Sequence, residues 1–144
     1  MKTQMTILAL AAAATLAANP PVHAAEPGAV ALTFKVGAAR GTVMAALFDS
    51  EEAFREGEPV RGLRVEAAGE AVTVVFPKVR PGRYAVKAFY DLNGDGKMNS
   101  NSFGMPTEPF AFSNNAPPRF GPPAWSAAAF EVGPAGAAQT LVMK

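Results

Sequence analysis

Gly82-Arg-Tyr-Ala-Val-Lys-Ala-Phe-Tyr-Asp91 runs without a break into Leu92-Asn93-Gly94-Asp95-Gly96-Lys97-Met98-Asn99. The first ten residues alternate in the manner of a strand. Tyr84, Val86, Ala88 and Tyr90 fall on one face, and Ala85, Lys87 and Phe89 on the other. Lys87 makes the second face the poorer core candidate, so the tyrosine face is expected to point inward. The residues that follow place Asp91, Asn93 and Asp95 at every second position before Gly96. Oxygen ligands at loop positions 1, 3 and 5 and a glycine at 6 match the first half of an EF-hand loop. In that reading Lys97 contributes its backbone carbonyl and Asn99 coordinates directly or through water. The closing acid is missing, since Ser102 holds that place, and Glu108 is the nearest later carboxylate. Two carboxylates without a bidentate closing Glu imply a weak Ca²⁺ site. The same Asx-Gly pattern also reads as turn chemistry alone.

Outward from this strand the chain is a series of short strands separated by turn residues. Val30–Val36 and Thr42–Phe48 alternate around Gly41 and read as a hairpin. Ser50 caps one helical turn. Leu63–Ala67 and Val72–Phe76 are further strands, and Pro81-Gly82 turns the chain into the strand quoted first. Ala127–Val132 and Thr140–Met143 follow late in the chain. Seven short strands predict an all-β fold, a β-sandwich of immunoglobulin-like or transthyretin-like type. Between Asp91 and Trp125 some 35 residues show no strand pattern. Phe103, Phe110, Phe112, Phe120 and Trp125 give this segment apolar anchors, and six prolines stiffen it. An ordered Pro/aromatic loop lying over one edge of the sandwich is expected.

Composition removes several function classes. Met5–Ala18 is an apolar run behind Met1-Lys2, and Val22-His-Ala24 offers small residues for cleavage. This predicts a signal peptide over 1–24 and one domain over 25–144, periplasmic or secreted. The run is shorter than the roughly 20 residues a membrane span needs, so no integral membrane segment is expected in the mature chain. Lys2 leaves with the leader, so of thirteen basic residues twelve remain to balance twelve acidic ones. That balance gives no long-range attraction to nucleic acid. The chain has no Cys, and its one His, His23, belongs to the leader. Zinc and copper lose their favoured ligands, and no Ser-His-Asp or Cys-His nucleophile can be built. A non-enzymatic module is therefore expected. Glu108 with Asp91 or Asp95 could in principle be a carboxylate pair for glycoside hydrolysis, and nothing in the spacing favours it over metal ligation or solvation.

A second candidate surface joins Glu108, Phe110, Phe112, Asn114 and Asn115, with Trp125 nearby. Rings stack on sugars and amides bond hydroxyls, so a glycan is the alternative ligand. The partner is otherwise an unidentified protein of the cell envelope.

Pro81-Gly-Arg-Tyr-Ala-Val86, Tyr90-Asp-Leu-Asn-Gly-Asp-Gly-Lys97, Asn101-Ser-Phe-Gly-Met-Pro-Thr-Glu108, Phe112-Ser-Asn-Asn115 and Phe120-Gly-Pro-Pro123 occur in that order. Together they resemble the bacterial exported family catalogued as domain of unknown function 2141, over essentially the whole mature chain. The resemblance implies export and a β-rich domain, and it brings no activity or catalytic residues. Tyr90, Asn99 and Ala111 stand where that family typically shows His, Asp and Gly. The Gly-x-Tyr strand feeding an Asp-x-Asn-Gly loop is also similar to calcium-loaded β-sandwich modules of bacterial surface proteins, a likeness of fold that does not fix function.

Overall fold

A computed structural model describes residues 28–144. The leader expected over 1–24 lies outside them. The chain forms β1 (Val30–Lys35), β2 (Thr42–Phe48), α1 (Glu51–Glu56), β3 (Arg61–Glu66), β4 (Ala71–Phe76), β5 (Gly82–Asp91) and β6 (Phe110–Phe112). A 3-10 turn at Ser113–Asn115, α2 (Trp125–Ala128), β7 (Phe130–Val132) and β8 (Ala137–Val142) complete it. One sheet has the order β4-β1-β8, with β1 antiparallel to β4 and parallel to β8. The other has the order β3-β2-β5-β6, and β7 pairs the opening residues of β5.

The all-β sandwich expected from the alternation is present. The expected count of seven strands is corrected to eight among the described residues. The missed strand is β6, three residues pairing Lys87–Phe89 inside the segment that reads as loop. Three residues are too short for a period-2 signal to stand out. The expected hairpin of the first two strands is also corrected. β1 and β2 lie in different sheets, so the chain crosses at Gly37–Gly41 instead of folding back. Ala127 and Ala128 turn out to be helical, and the strand they were expected to open begins at Phe130.

The core lies between the sheets. Val30, Leu32 and Phe34 of β1 and Val72, Val74 and Phe76 of β4 meet Val43, Ala45 and Leu47 of β2 and Val86, Ala88 and Tyr90 of β5. The tyrosine face of β5 does point inward. Tyr90 is buried, donating its hydroxyl to the Ala38 carbonyl at 2.8 Å, which meets the rule that buried hydroxyls find partners.

The outer face of the larger sheet carries a second apolar layer. Phe48, Ala85 and Phe112 pack with Phe54 of α1 and Ala128 of α2, and Trp125 stacks edge-on to Phe54. Ser50 Oγ caps α1 by accepting from the Ala53 N–H at 3.2 Å. Ser113 fills a gap on the β5 edge, between the residues paired by β7 and those paired by β6. Its Oγ accepts from the Val86 N–H at 2.8 Å and donates to the Ala128 carbonyl at 2.6 Å, fully buried. Ser113→Ala leaves both backbone groups unpaired and is expected to cost about 2 kcal/mol. The denaturant midpoint measures this, and an unmoved midpoint would refute the bridging role.

Candidate functional site

The loop after β5 is stitched by its own carboxylates. Asp91, wholly buried at the strand end, accepts from the Gly94 N–H at 2.7 Å and the Gly96 N–H at 2.8 Å. Glu108 is also buried. It accepts from the Leu92 N–H at 3.0 Å and the Asn99 N–H at 3.2 Å, so it grips the loop from its far end. Asn93 accepts from the Asp95 N–H at 3.1 Å and Asp95 from the Lys97 N–H at 2.8 Å. The Asn99 amide closes the ring, donating to Asp95 at 2.9 Å and accepting from Asn93 at 3.0 Å. The Asn99 hydrogen bond, followed by the Lys97 N–H, holds the Asp95 carboxyl below the usual carboxylate range. The loop therefore brings Asp91, Asn93, Asp95 and Asn99 around one turn. Every bond just named takes one lone-pair site of its oxygen, and a carboxylate oxygen has about two.

Among the described residues, no three His, Cys, Asp or Glu side chains come together as a ready metal cage. The oxygen set here includes two amides. A hard cation at this turn would draw on Asp91, Asn93, Asp95, Asn99 and the Lys97 carbonyl.

Beyond Asn99 the chain folds into a small ear. Ser100 bridges Pro106, and Asn101 Oδ1 accepts from the N–H groups of Phe103 and Met105 at 2.9 and 3.1 Å. Phe103 at its tip is 90% exposed. The second candidate surface divides. Phe110 and Phe112 lie on β6, on the outer face of the larger sheet. The amides of Asn114 and Asn115 are occupied within the chain. Asn114 donates to the carbonyls of Ala127 and Ala129 and accepts from Gln139, while Asn115 donates to the Thr140 carbonyl and accepts from the Val142 N–H. Both asparagines hold left-handed backbone conformations, φ 60° and 50°. They tie β6 to β8 and cover the exposed β8 edge.

The ear and the Pro118–Pro122 stretch overhang the outer face of the larger sheet and, with Phe110 and Phe112 of β6, border a cavity of about 1140 Å³. Register explains the hollow. Gly62, Ala46, Lys87 and Phe112 make one row across the sheet, and Arg64, Met44, Phe89 and Phe110 the next. Gly62 and Ala46 leave space where larger side chains would fill it. At one end of the hollow, α1 and Phe48 complete the second apolar layer. Lys87 stands at the boundary. Its Nζ donates to the Phe54 carbonyl and lies 5.0 and 4.4 Å from the ring centres of Phe48 and Phe54. Burial pushes its pKa down.

The sequence reading did not select Lys87, Arg64, Met44 or Phe89 as site residues. The one usable signal was the mixed outer face of β5, where Lys87 is followed two residues on by Phe89.

The fold and this site define a β-sandwich whose long loop roofs an apolar cavity on one sheet. The chain belongs to the family of domain of unknown function 2141, described as an uncharacterized protein conserved in bacteria, whose model matches residues 34–140. No curated protein and no solved structure matches it.

Proposed function

We propose that this protein is an exported, non-enzymatic binding module of the cell envelope that takes its ligand in the cavity on the outer face of the larger sheet. The supporting observation is that cavity, about 1140 Å³ and walled mainly by apolar side chains. Small-molecule sites commonly span roughly 300–1,000 Å³ and have mostly apolar linings. The 91–109 loop acts as the arm that positions the roof. A weakly held calcium-type cation at Asp91, Asn93, Asp95, Lys97 and Asn99 stiffens it.

Two measurements test this reading separately. A neutral solvatochromic dye is expected to bind saturably with a blue shift. Gly62→Leu is expected to abolish that binding while leaving the melt intact, because a Cβ at Gly62 meets nothing nearer than the Ala45 carbonyl at 4.0 Å. Equal dye binding by Gly62→Leu would remove the cavity from the proposal. For the cation, melts in chelator and in calcium are compared. At tenfold excess over a millimolar dissociation constant, binding stabilises by about 1.4 kcal/mol. That corresponds to a rise in Tm of roughly 5 °C. An unchanged Tm with no heat of binding would leave the loop held by its own side chains alone.

A further inference from the structure

The polar content of this cavity is one-sided. Among the described residues, two basic ones, Lys87 and Arg64, belong to its wall, and no Asp or Glu does. Among the described residues neither cation takes part in an ion pair, the pairs present being Arg55–Glu56 and Arg83–Glu131. Arg64 is exposed, whereas Lys87 is half-buried among apolar groups, and a charge held there without a counter-charge is costly and favours an anionic partner. Lys87 is the better placed of the two. Its ammonium has three donors, and one is given to the Phe54 carbonyl. Two are left for the two oxygens of a carboxylate.

The remainder of the wall is apolar. Met44, Phe89 and Phe110 form the floor beyond Lys87, and Met98, Phe103 and Met105 come from the overhanging ear. Methionine is an adaptable lining for flexible chains. Of the eight exposed large hydrophobic residues among those described, Met98, Phe103, Met105 and Phe120 all border this one cavity. Apolar side chains exposed together mark a binding surface, whereas scattered ones do not.

Building on the cavity reading above, we infer that the ligand is a single-chain amphiphile with a carboxylate head, a free fatty acid in chemical class. Its head binds at Lys87, with Arg64 adding positive potential, and its chain lies along Met44 and Phe89 beneath the ear.

The test is calorimetric titration of the purified protein with dodecanoate and hexadecanoate, kept below their micelle concentrations, and with the corresponding methyl esters. One-to-one binding is expected, tightening by up to roughly fourfold per added methylene until the groove is full. The acid should bind at least tenfold more tightly than its ester. Lys87→Met keeps an apolar stem against Phe48 and Phe54, so it should bring the acid down to the ester's affinity and leave the ester unchanged. Hexadecyl phosphate and anionic phospholipid vesicles are the competing probes. Equal affinity for acid and ester, an acid preference that survives Lys87→Met, or preference for the phosphate or the vesicle would each overturn the inference. Ester or neutral-dye binding without acid preference would overturn this ligand class alone and leave the cavity reading standing. If Gly62→Leu fails to weaken binding of both acid and ester, the cavity reading falls with it.

Discussion

Gly136→Ala is expected to destabilise the protein by about 2–5 kcal/mol. Gly136 has φ +84°, a backbone conformation that costs an L side chain roughly 1–2 kcal/mol. A Cβ there would also lie 2.1 Å from the Ala29 carbonyl oxygen and 3.0 Å from the Ala29 nitrogen. Backbone atoms cannot rotate away as a side chain can, so the overlap must be relieved by moving one strand against another. The strands concerned are β1 and β8. The Ala137 N–H donates to that same Ala29 oxygen at 2.9 Å, at the start of their parallel ladder. Overpacking of a rigid site typically costs a further 1–3 kcal/mol. Against a total stability of roughly 5–15 kcal/mol, this loss is large. Gly133→Ala is the control, because a Cβ at Gly133 meets nothing within 4 Å. Denaturant titration should show a much lower midpoint for Gly136→Ala and an almost unmoved one for Gly133→Ala. Equal midpoints would show that the β1–β8 junction is not close-packed.

Asp91→Ala is expected to release the 91–109 loop without unfolding the sandwich. Asp91 gives both carboxylate oxygens to backbone N–H groups of Gly94 and Gly96, and no basic side chain forms an ion pair with it among the described residues. Bonds to a charged acceptor contribute about 1.5–3 kcal/mol each, so losing both costs about 3 kcal/mol or more. That cost falls on the loop. The backbone of Asp91 keeps its pairing with Thr42 at the end of the β2–β5 ladder, and the core tyrosine beside it is untouched. Limited proteolysis should therefore cut within 92–109 in Asp91→Ala, while the sandwich stays resistant. Asp91→Asn keeps one acceptor oxygen and should show an intermediate rate of cleavage. Asp95→Ala removes an exposed acceptor and should show the smallest change of the three. Unchanged cleavage in Asp91→Ala would refute the carboxylate as the loop's anchor. If saturating calcium protects the wild type and gives Asp91→Ala no protection, the cation and the anchor share this residue.

Much of the sandwich is legible in the residues because alternation is a local property. Tyr84, Val86, Ala88 and Tyr90 identify their buried face from their own spacing, whatever packs on it. The Asp91–Asn99 turn is equally local. Its glycines and side-chain acceptors bond within a few residues, so spacing alone identifies the ring of oxygens. Strand partnership is a different matter. Val30–Lys35 and Thr42–Phe48 look like a hairpin, yet they separate because each buries its apolar face across the sandwich from the other. Only the register of non-local partners decides that, β4 and β8 for one strand and β3 and β5 for the other.

The candidate site follows the same division. By itself the sequence determined a β-rich domain, the inward face of β5, the carboxylate turn at its end, and a composition without Cys and with a single His. The tertiary structure alone decided that Asn114 and Asn115 serve as ties to β8, that Glu108 closes the turn from behind, and that Lys87 stands over a hollow. The hollow arises because Gly62 on β3 and Ala46 on β2 come into one row with Lys87 on β5. Each is an unremarked small residue in its own segment. A cavity is a property of what three separate strands fail to fill, and no one of them encodes it.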